Sequence, residues 1–167
     1  MRLFDKKFRG NITGYVLQCC LATLAILVIL IFLNIIKYPA IVASLGASCF
    51  IAFTMPHTRA SKPRALIGGY MVGVIAGTIC HFISEASLTV QILHDYKMTH
   101  IALAALSVGL AMFIMVITDT EHAPAAGLAL GLVLNEWDLY SVAFIVFGII
   151  TLSVTKELIK PALKNLV

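Results

Sequence analysis

A run of polar and ionisable residues interrupts an otherwise apolar chain between residues 118 and 127. It reads Thr118-Asp119-Thr120-Glu121-His122-Ala123-Pro124-Ala125-Ala126-Gly127. Ionisable groups between membrane-length apolar runs are functional candidates, because removing them from water is costly unless each is paired or lines a wet cavity. We therefore expect the chemistry of this protein in this run.

His122 is the residue of this run best suited to chemistry. Its ordinary pKa of about 6.5 allows it either to contact an anion or to move a proton. Ala123 and Pro124 follow it, and a proline suits the first turn of a helix. The backbone N–H groups of that turn would then lie beside the imidazole. A histidine that only forms hydrogen bonds within a turn is the equal alternative.

The two carboxylates of the run, Asp119 and Glu121, would repel an anion when ionised. They indicate either helix capping and pairing with nearby cations, or a proton-coupled cycle. Thr120 is a further capping candidate, because a threonine side chain accepts hydrogen bonds from a helix start. The cations available for pairing are Arg59, Lys62 and Arg64.

A second polar run, residues 54–64, precedes another predicted helix, which begins at Pro63 with Ser61 as a candidate cap. Small residues recur four apart after both prolines, so that two helices each carry a ridge. Such ridges let helix backbones approach closely in lipid. The glycines of these ridges are Gly69, Gly73 and Gly77 in the first helix, and Gly127 and Gly131 in the second.

Composition places the chain among polytopic membrane proteins, since 60% of its residues are hydrophobic and 12% are charged. The spans should be helices, because open strands cannot satisfy their backbone in lipid. We expect an all-α bundle of about six segments forming one membrane domain over residues 1–167. The predicted segments are 15–36, 39–55, 63–84, 100–118, 123–135 and 139–156.

One predicted segment is too short to cross a bilayer. Residues 123–135 form about 20 Å of helix, against a hydrocarbon core of about 30 Å. The segment is therefore either a re-entrant or half helix, or a span across a locally thinned membrane. At the ends of the chain, we expect residues 1–13 to be a cytoplasmic N-terminal segment and residues 157–167 a cytoplasmic tail.

The basic residues follow the expected topology of six passes. Of the 12 Lys and Arg residues, all but Lys37 and Lys97 fall on the side that holds both termini, which predicts cytoplasmic termini. The net charge of +4 thus reflects topology and contact with lipid headgroups, without any nucleic acid partner. We expect a bacterial inner membrane. The ten residues are Arg2, Lys6, Lys7, Arg9, Arg59, Lys62, Arg64, Lys156, Lys160 and Lys164.

The two proline-started helices begin on the same side of the membrane, because two passes separate them, and they can meet. Two helix starts with unpaired N–H groups form an anion pocket with little further help. Tyr70 could add a hydroxyl donor. The residues expected to bind the anion there are His57, Pro63, Arg64, Tyr70, Thr120, His122, Ala123 and Pro124. Membrane anchoring by Arg64 and ring packing by Tyr70 are the alternatives.

The two runs together resemble a known family. Pro63-Arg64-Ala65-Leu66-Ile67-Gly68-Gly69-Tyr70, followed by the run at 118–127, is similar to the HPP family of integral membrane proteins. That family is named for a His-Pro-Pro motif and carries a Pro-Arg-Asn-x-x-Gly-Gly-His element. Here Ala123, Ala65 and Tyr70 replace the middle proline, the asparagine and the last histidine. Plant members are associated with nitrite transport into chloroplasts, which implies a small inorganic anion as substrate.

Three functions remain open from the sequence. The first is a transporter or channel for small inorganic anions, with nitrite as the leading candidate, acting without enzymatic activity or cofactor. The second is a metal-binding protein or enzyme that uses His57, Asp119, Glu121 and His122. The third is a non-transporting membrane subunit. Small-residue faces to spare predict a homo-oligomer.

Overall fold

The computed structural model describes residues 11–33, 39–86 and 96–166. These residues form six α-helices and contain no strand, so that the predicted all-α bundle is confirmed. Short 3₁₀ turns lie at Arg59–Ser61 and Lys160–Ala162. The helices are α1 (Ile12–Leu33), α2 (Pro39–Thr54), α3 (Pro63–Glu85), α4 (Tyr96–Thr118), α5 (Ala123–Leu134) and α6 (Leu139–Ile159).

Four helices, α1, α3, α4 and α6, are long and apolar enough to cross a membrane. The other two are short: α2 has 16 residues and α5 has 12. At about 1.5 Å per residue, α5 is about 18 Å long and cannot reach across a hydrocarbon core of about 30 Å. The predicted short fifth segment is therefore present, as a half-length helix.

Successive helices alternate in direction, so that the predicted cytoplasmic loops meet at one end of the bundle. This basic end consists of the loop 55–62, the turn 119–122 and the segment 160–166. The loop and the turn are joined by a hydrogen bond and by ion pairs. The Tyr15 hydroxyl at the start of α1 donates to the Leu166 carbonyl over 2.6 Å. Which face of the membrane this end occupies stays a prediction.

The C-terminal segment, predicted as a cytoplasmic tail over residues 157–167, packs against the bundle in its described part, residues 157–166. Helix α6 continues to Ile159, and the residues beyond it fold back onto the bundle. Leu163 and Leu166 are buried, and the buried amide of Gln18 donates to the Lys164 carbonyl over 2.8 Å. This segment therefore covers the basic end, because its two leucines find an apolar surface there.

Helices α3, α4 and α5 pack most extensively against one another, and α3 meets α5 along the predicted glycine ridge. A Cβ at Gly69 would lie 2.7 Å from the Cβ of His122, and one at Gly77 would lie 2.8 Å from the Ala129 carbonyl oxygen. A Cβ at Gly73 would overlap the Ala125 carbonyl. Only glycine permits this approach, so the packing role of the α3 ridge is confirmed.

In the second predicted ridge, one of the two glycines lies in close helix packing. Gly131 does allow close packing, but against α2, where an added Cβ would lie 2.8 Å from the Cβ of Ala40. Gly127 is exposed, and a Cβ there would meet the Ser44 hydroxyl at 3.5 Å, an ordinary contact. The packing role of Gly127 stays a prediction, because an added Cβ would be tolerated at this position.

We predict that Gly73→Ala lowers the apparent unfolding temperature in detergent, because its methyl group meets backbone that cannot rotate away. Overpacking of this kind costs about 1–3 kcal/mol. Gly109→Ala is the matched control, since a Cβ there meets nothing within 4 Å and alanine favours a helix over glycine by about 1 kcal/mol. Equal unfolding temperatures for the two variants would contradict the close packing of α3 against α5.

Candidate functional site

His122 lies at the centre of a buried polar cluster at the basic end. Its side chain is 1% exposed, and it is the residue directly before α5, with extended backbone. Nδ1 lies 3.0 Å from the Ala60 carbonyl oxygen, and Nε2 lies 2.8 Å from the Ser48 hydroxyl. The Ser48 hydroxyl is also 2.8 Å from the Tyr70 hydroxyl. We call Tyr70, Ser48 and His122 the hydroxyl chain.

The hydrogen-bond partners fix where the protons of the hydroxyl chain lie. Because the Ala60 carbonyl only accepts, Nδ1 of His122 donates to it. In a neutral imidazole Nε2 then accepts from Ser48, and the Ser48 oxygen accepts from Tyr70. In an imidazolium Nε2 donates to Ser48, whose own proton can turn to the Ser44 carbonyl, 3.0 Å away. The cluster is therefore satisfied in both charge states of His122.

Burial decides which state is favoured when the cluster is closed. Desolvation lowers the pKa of His122 well below its ordinary value, and the hydrogen bond to Ala60 raises it only in part. Burial disfavours the charged form because little water remains to solvate it. His122 is therefore neutral at neutral pH, and a negative charge brought next to it would favour the imidazolium.

Three elements bring the hydroxyl chain together. Ser48 lies in the middle of α2, Tyr70 in the second turn of α3, and His122 at the start of α5. Tyr70 and Ser48 are fully buried, and the glycine at position 69 leaves room for the His122 side chain. The start of α5 thus lies against the second turn of α3, with the Tyr70 ring beside that of His122.

The two carboxylates lie outside the hydroxyl chain. Arg59 pairs with Asp119, and its Nε lies 3.8 Å from Glu121 Oε2. Both carboxylate side chains are nearly half exposed. The predicted pairing with Arg59 is confirmed, while the capping role is wrong, because His122 occupies the cap position of α5 and its side chain caps nothing. Asp119 instead makes the turn after α4, with a φ of 60°.

The remaining candidates of the 118–124 run flank the site. The Thr120 hydroxyl bonds to Thr118 over 2.8 Å rather than capping α5. Pro124 is buried in the first turn of α5, and Ala123 is exposed. Arg64 is exposed and donates to the Thr118 carbonyl over 2.8 Å, which ties the start of α3 to the end of α4.

The loop 55–62 is held by its own hydrogen bonds. Pro63 is exposed at the first turn of α3, as predicted. Ser61 does not cap this helix; its hydroxyl donates to the Pro56 carbonyl over 2.7 Å, and Lys62 takes the cap position. The rigid loop presents the Ala60 carbonyl to His122.

His57 does not join the site. It is exposed, and its ring Nε2 lies 3.0 Å from the carbonyl oxygen of Leu163 in the C-terminal segment. The anion-binding role given to His57 is therefore not supported by its position. The metal-ligand set of His57, Asp119, Glu121 and His122 is not assembled, and no three metal-ligating side chains meet within the described residues.

Lys156 is a buried charge that the sequence does not single out. Its side chain is fully buried in α6, and Nζ donates to the Ser61 carbonyl over 2.8 Å and to Glu157 Oε1 over 2.6 Å. It holds the residue next to Ala60, and so steadies the carbonyl that accepts from His122. A lysine near a helix end otherwise indicates membrane anchoring, and only the fold shows this one turned inward.

These features define a class: a polytopic helical membrane protein with a buried histidine and two buried hydroxyls where a half-length helix begins. The family model described as HPP, transmembrane region, matches residues 7–166. The chain belongs to this family. Searches of curated proteins and of solved structures each found no match.

We predict that acid destabilises the native protein more than the variant His122→Asn. Because the pKa of His122 is lowered on folding, its stabilisation is complete above the unfolded pKa of about 6.5 and is lost as the pH falls below it. Asparagine can still donate to Ala60 without titrating. Unfolding temperatures measured between pH 7 and 5 should diverge; parallel curves for the two proteins would contradict this account.

Proposed function

We propose that this protein is a transporter or channel for small inorganic anions, with nitrite as the leading candidate, and that the anion binds at the hydroxyl chain. The carrying observation is the buried His122, which joins two buried hydroxyls at the start of a half-length helix. In a bundle whose other buried side chains are mostly apolar, such a cluster is costly unless it has a use.

The electrostatics of the site favour an anion. Helix starts carry about half a positive charge, and His122 lies directly before α5. A discontinuous helix whose start points at a substrate is a recurring device of secondary transporters. The α5 helix has the right length for this device, and its start is buried at His122 and Pro124.

The binding step follows from the proton positions. An arriving anion would accept from the hydroxyl of Tyr70 or Ser48, which now bond to one another. Its charge would stabilise the imidazolium of His122, so that a proton binds together with the anion. The bound anion and the added proton neutralise one another's charge. In a site of low polarity, burying them together costs less free energy than burying one charge alone.

The other expectations extend this proposal. We place the basic end in the cytoplasm of a bacterial inner membrane, on the distribution of Lys and Arg. A homo-oligomer is proposed because the helices expose many large apolar side chains besides small-residue faces. We propose transport without an enzymatic step. A non-transporting subunit is the rival, and a co-purifying protein without flux would support it.

We predict that purified protein in vesicles gives saturable nitrite uptake above that of empty vesicles, and that His122→Ala abolishes it. Tyr70→Phe removes one buried donor and should raise the half-saturating concentration about 2- to 10-fold, as one hydrogen bond of about 0.5–1.5 kcal/mol implies. Tyr140→Phe is the matched control, because Tyr140 is 75% exposed at the other end of the bundle.

Two outcomes would overturn the proposal. One is the absence of flux for nitrite, nitrate, formate and chloride in vesicles that hold folded native protein. The other is native flux in folded His122→Ala, with size-exclusion elution matching that of the native protein, which would remove the hydroxyl chain from the pathway.

A further inference from the structure

A second polar site lies at the far end of the bundle, where α3 ends and α4 begins. A cavity of about 430 Å³ is lined there by residues of α3, α4, α5 and the turn that follows α5. Its volume is within the range of small-molecule sites. The polar side chains of its wall are His81, Glu85, Tyr96, Lys97, His100 and Glu136, along with Asn135.

His100 makes two hydrogen bonds that need two ring protons. Nδ1 lies 3.0 Å from the Tyr96 carbonyl oxygen, which can only accept. Nε2 lies 2.9 Å from Glu85 Oε1. Either the imidazole is doubly protonated beside a carboxylate, or Glu85 holds the proton and donates it to a neutral ring. In both arrangements the pair keeps one proton more than a separate neutral histidine and carboxylate.

The neighbouring hydroxyls favour the proton on His100. Tyr96 donates to Glu85 Oε1 over 2.9 Å, which suits a carboxylate. The Ser84 hydroxyl donates to the His81 carbonyl over 2.7 Å, so that it faces Nε2 of His100, 3.3 Å away, as an acceptor. The geometry therefore describes an imidazolium–carboxylate pair, Glu85–His100, on the wall of the cavity.

His81 adds a second observation that points to a ligand. Its side chain is 8% exposed, and its buried Nδ1 has no hydrogen-bond partner within the part of the chain that the structure describes. A buried ring nitrogen without a partner is costly, and it marks His81 as a strained polar residue beside the Glu85–His100 pair. His81 lines the same cavity as Glu85 and His100, so that a small polar occupant would lie beside all three residues.

Among the described residues, the charged and titratable groups that line the cavity with His100 come from three elements. Helix α3 contributes His81 and Glu85, and α4 itself contributes Tyr96 and Lys97. The turn after α5 contributes Glu136, while α5 adds only the apolar Val133 and Leu134. Among the described residues of the wall, Lys97 and a protonated His100 match Glu85 and Glu136 in number.

We propose that this cavity is the far-side entrance of the anion pathway, and that the Glu85–His100 pair exchanges the proton that crosses with the anion. This inference rests on the proposed transport function. One N–H bond of His100 breaks when its proton passes to water or moves inward with the anion. The bond forms again with a proton taken from water. One proton and one anion thus cross together, and no net charge moves.

The alternative carriers of the proton are poorly placed. Asp119 and Glu121, the candidates from the sequence, pair with Arg59 at the basic end, and neither lines the cavity. The far-end pair instead borders a cavity and shares its proton between two groups, which is the arrangement that a proton relay needs.

The test uses two transport modes in vesicles, with empty vesicles subtracted. Exchange of isotope-labelled nitrite without gradients needs no net proton movement, whereas net uptake driven by a pH gradient does. We expect Glu85→Gln and His100→Gln to keep exchange within about 2-fold and to lose the stimulation by the gradient. Glu121→Gln is the matched comparison and should keep both modes.

Each outcome decides one proposal. Native protein without exchange overturns the transport function itself. Exchange in the native protein, with stimulation kept in Glu85→Gln, overturns the proton assignment alone, as does loss of exchange in a folded variant. If the variants do not fold, the native protein still decides: nitrogen-15 shifts of His100 and the infrared carboxyl band of Glu85 should together report one extra proton on the pair. A neutral ring would overturn the assignment, unless Glu85 carries its proton in the infrared carboxyl band.

Discussion

The close approach of α3 and α5 is the constraint on which the site depends. It is possible only because Gly69, Gly73 and Gly77 present no side chain to the backbone of the turn and of α5. In lipid, where apolar burial does not drive helix association, such contact supplies the attraction. The same approach sets His122 against Gly69, one residue from Tyr70. The α3–α5 contact and the buried hydroxyl chain therefore depend on the same glycines, and a change in this contact alters the hydroxyl chain.

Contacts at the basic end fix the position of the hydroxyl chain. The Ala60 carbonyl accepts from His122, and the next carbonyl, that of Ser61, accepts from the buried Lys156. Arg59 joins the same loop to the 119–122 turn through its two ion pairs. An exposed pair contributes little stability by itself, but here it keeps carboxylates out of a site proposed for anions. The far end, in contrast, concentrates its ionisable groups around a cavity.

The sequence predicted what local patterns decide. Apolar length located all six helices to within a few residues, and Pro63 and the α3 glycines located one helix start and its packing face. It could not predict contacts between side chains far apart in the chain. Ser48, Lys156 and the Glu85–His100 pair have ordinary sequence surroundings, and only the fold brings them to a site. The position of His57 away from the hydroxyl chain was unpredictable for the same reason, because the C-terminal segment that it contacts lies over 100 residues away in the sequence.

The central claim is that an anion and a proton bind together at His122, and proton uptake on anion binding tests it most directly. Sodium nitrite would be added to detergent-solubilised protein in weakly buffered solution near pH 7, with sodium gluconate as the control for ionic strength. The account predicts uptake of about one proton for each anion bound in the native protein, and none in His122→Asn. Nitrite binding without proton uptake, or equal uptake in the variant, would contradict it.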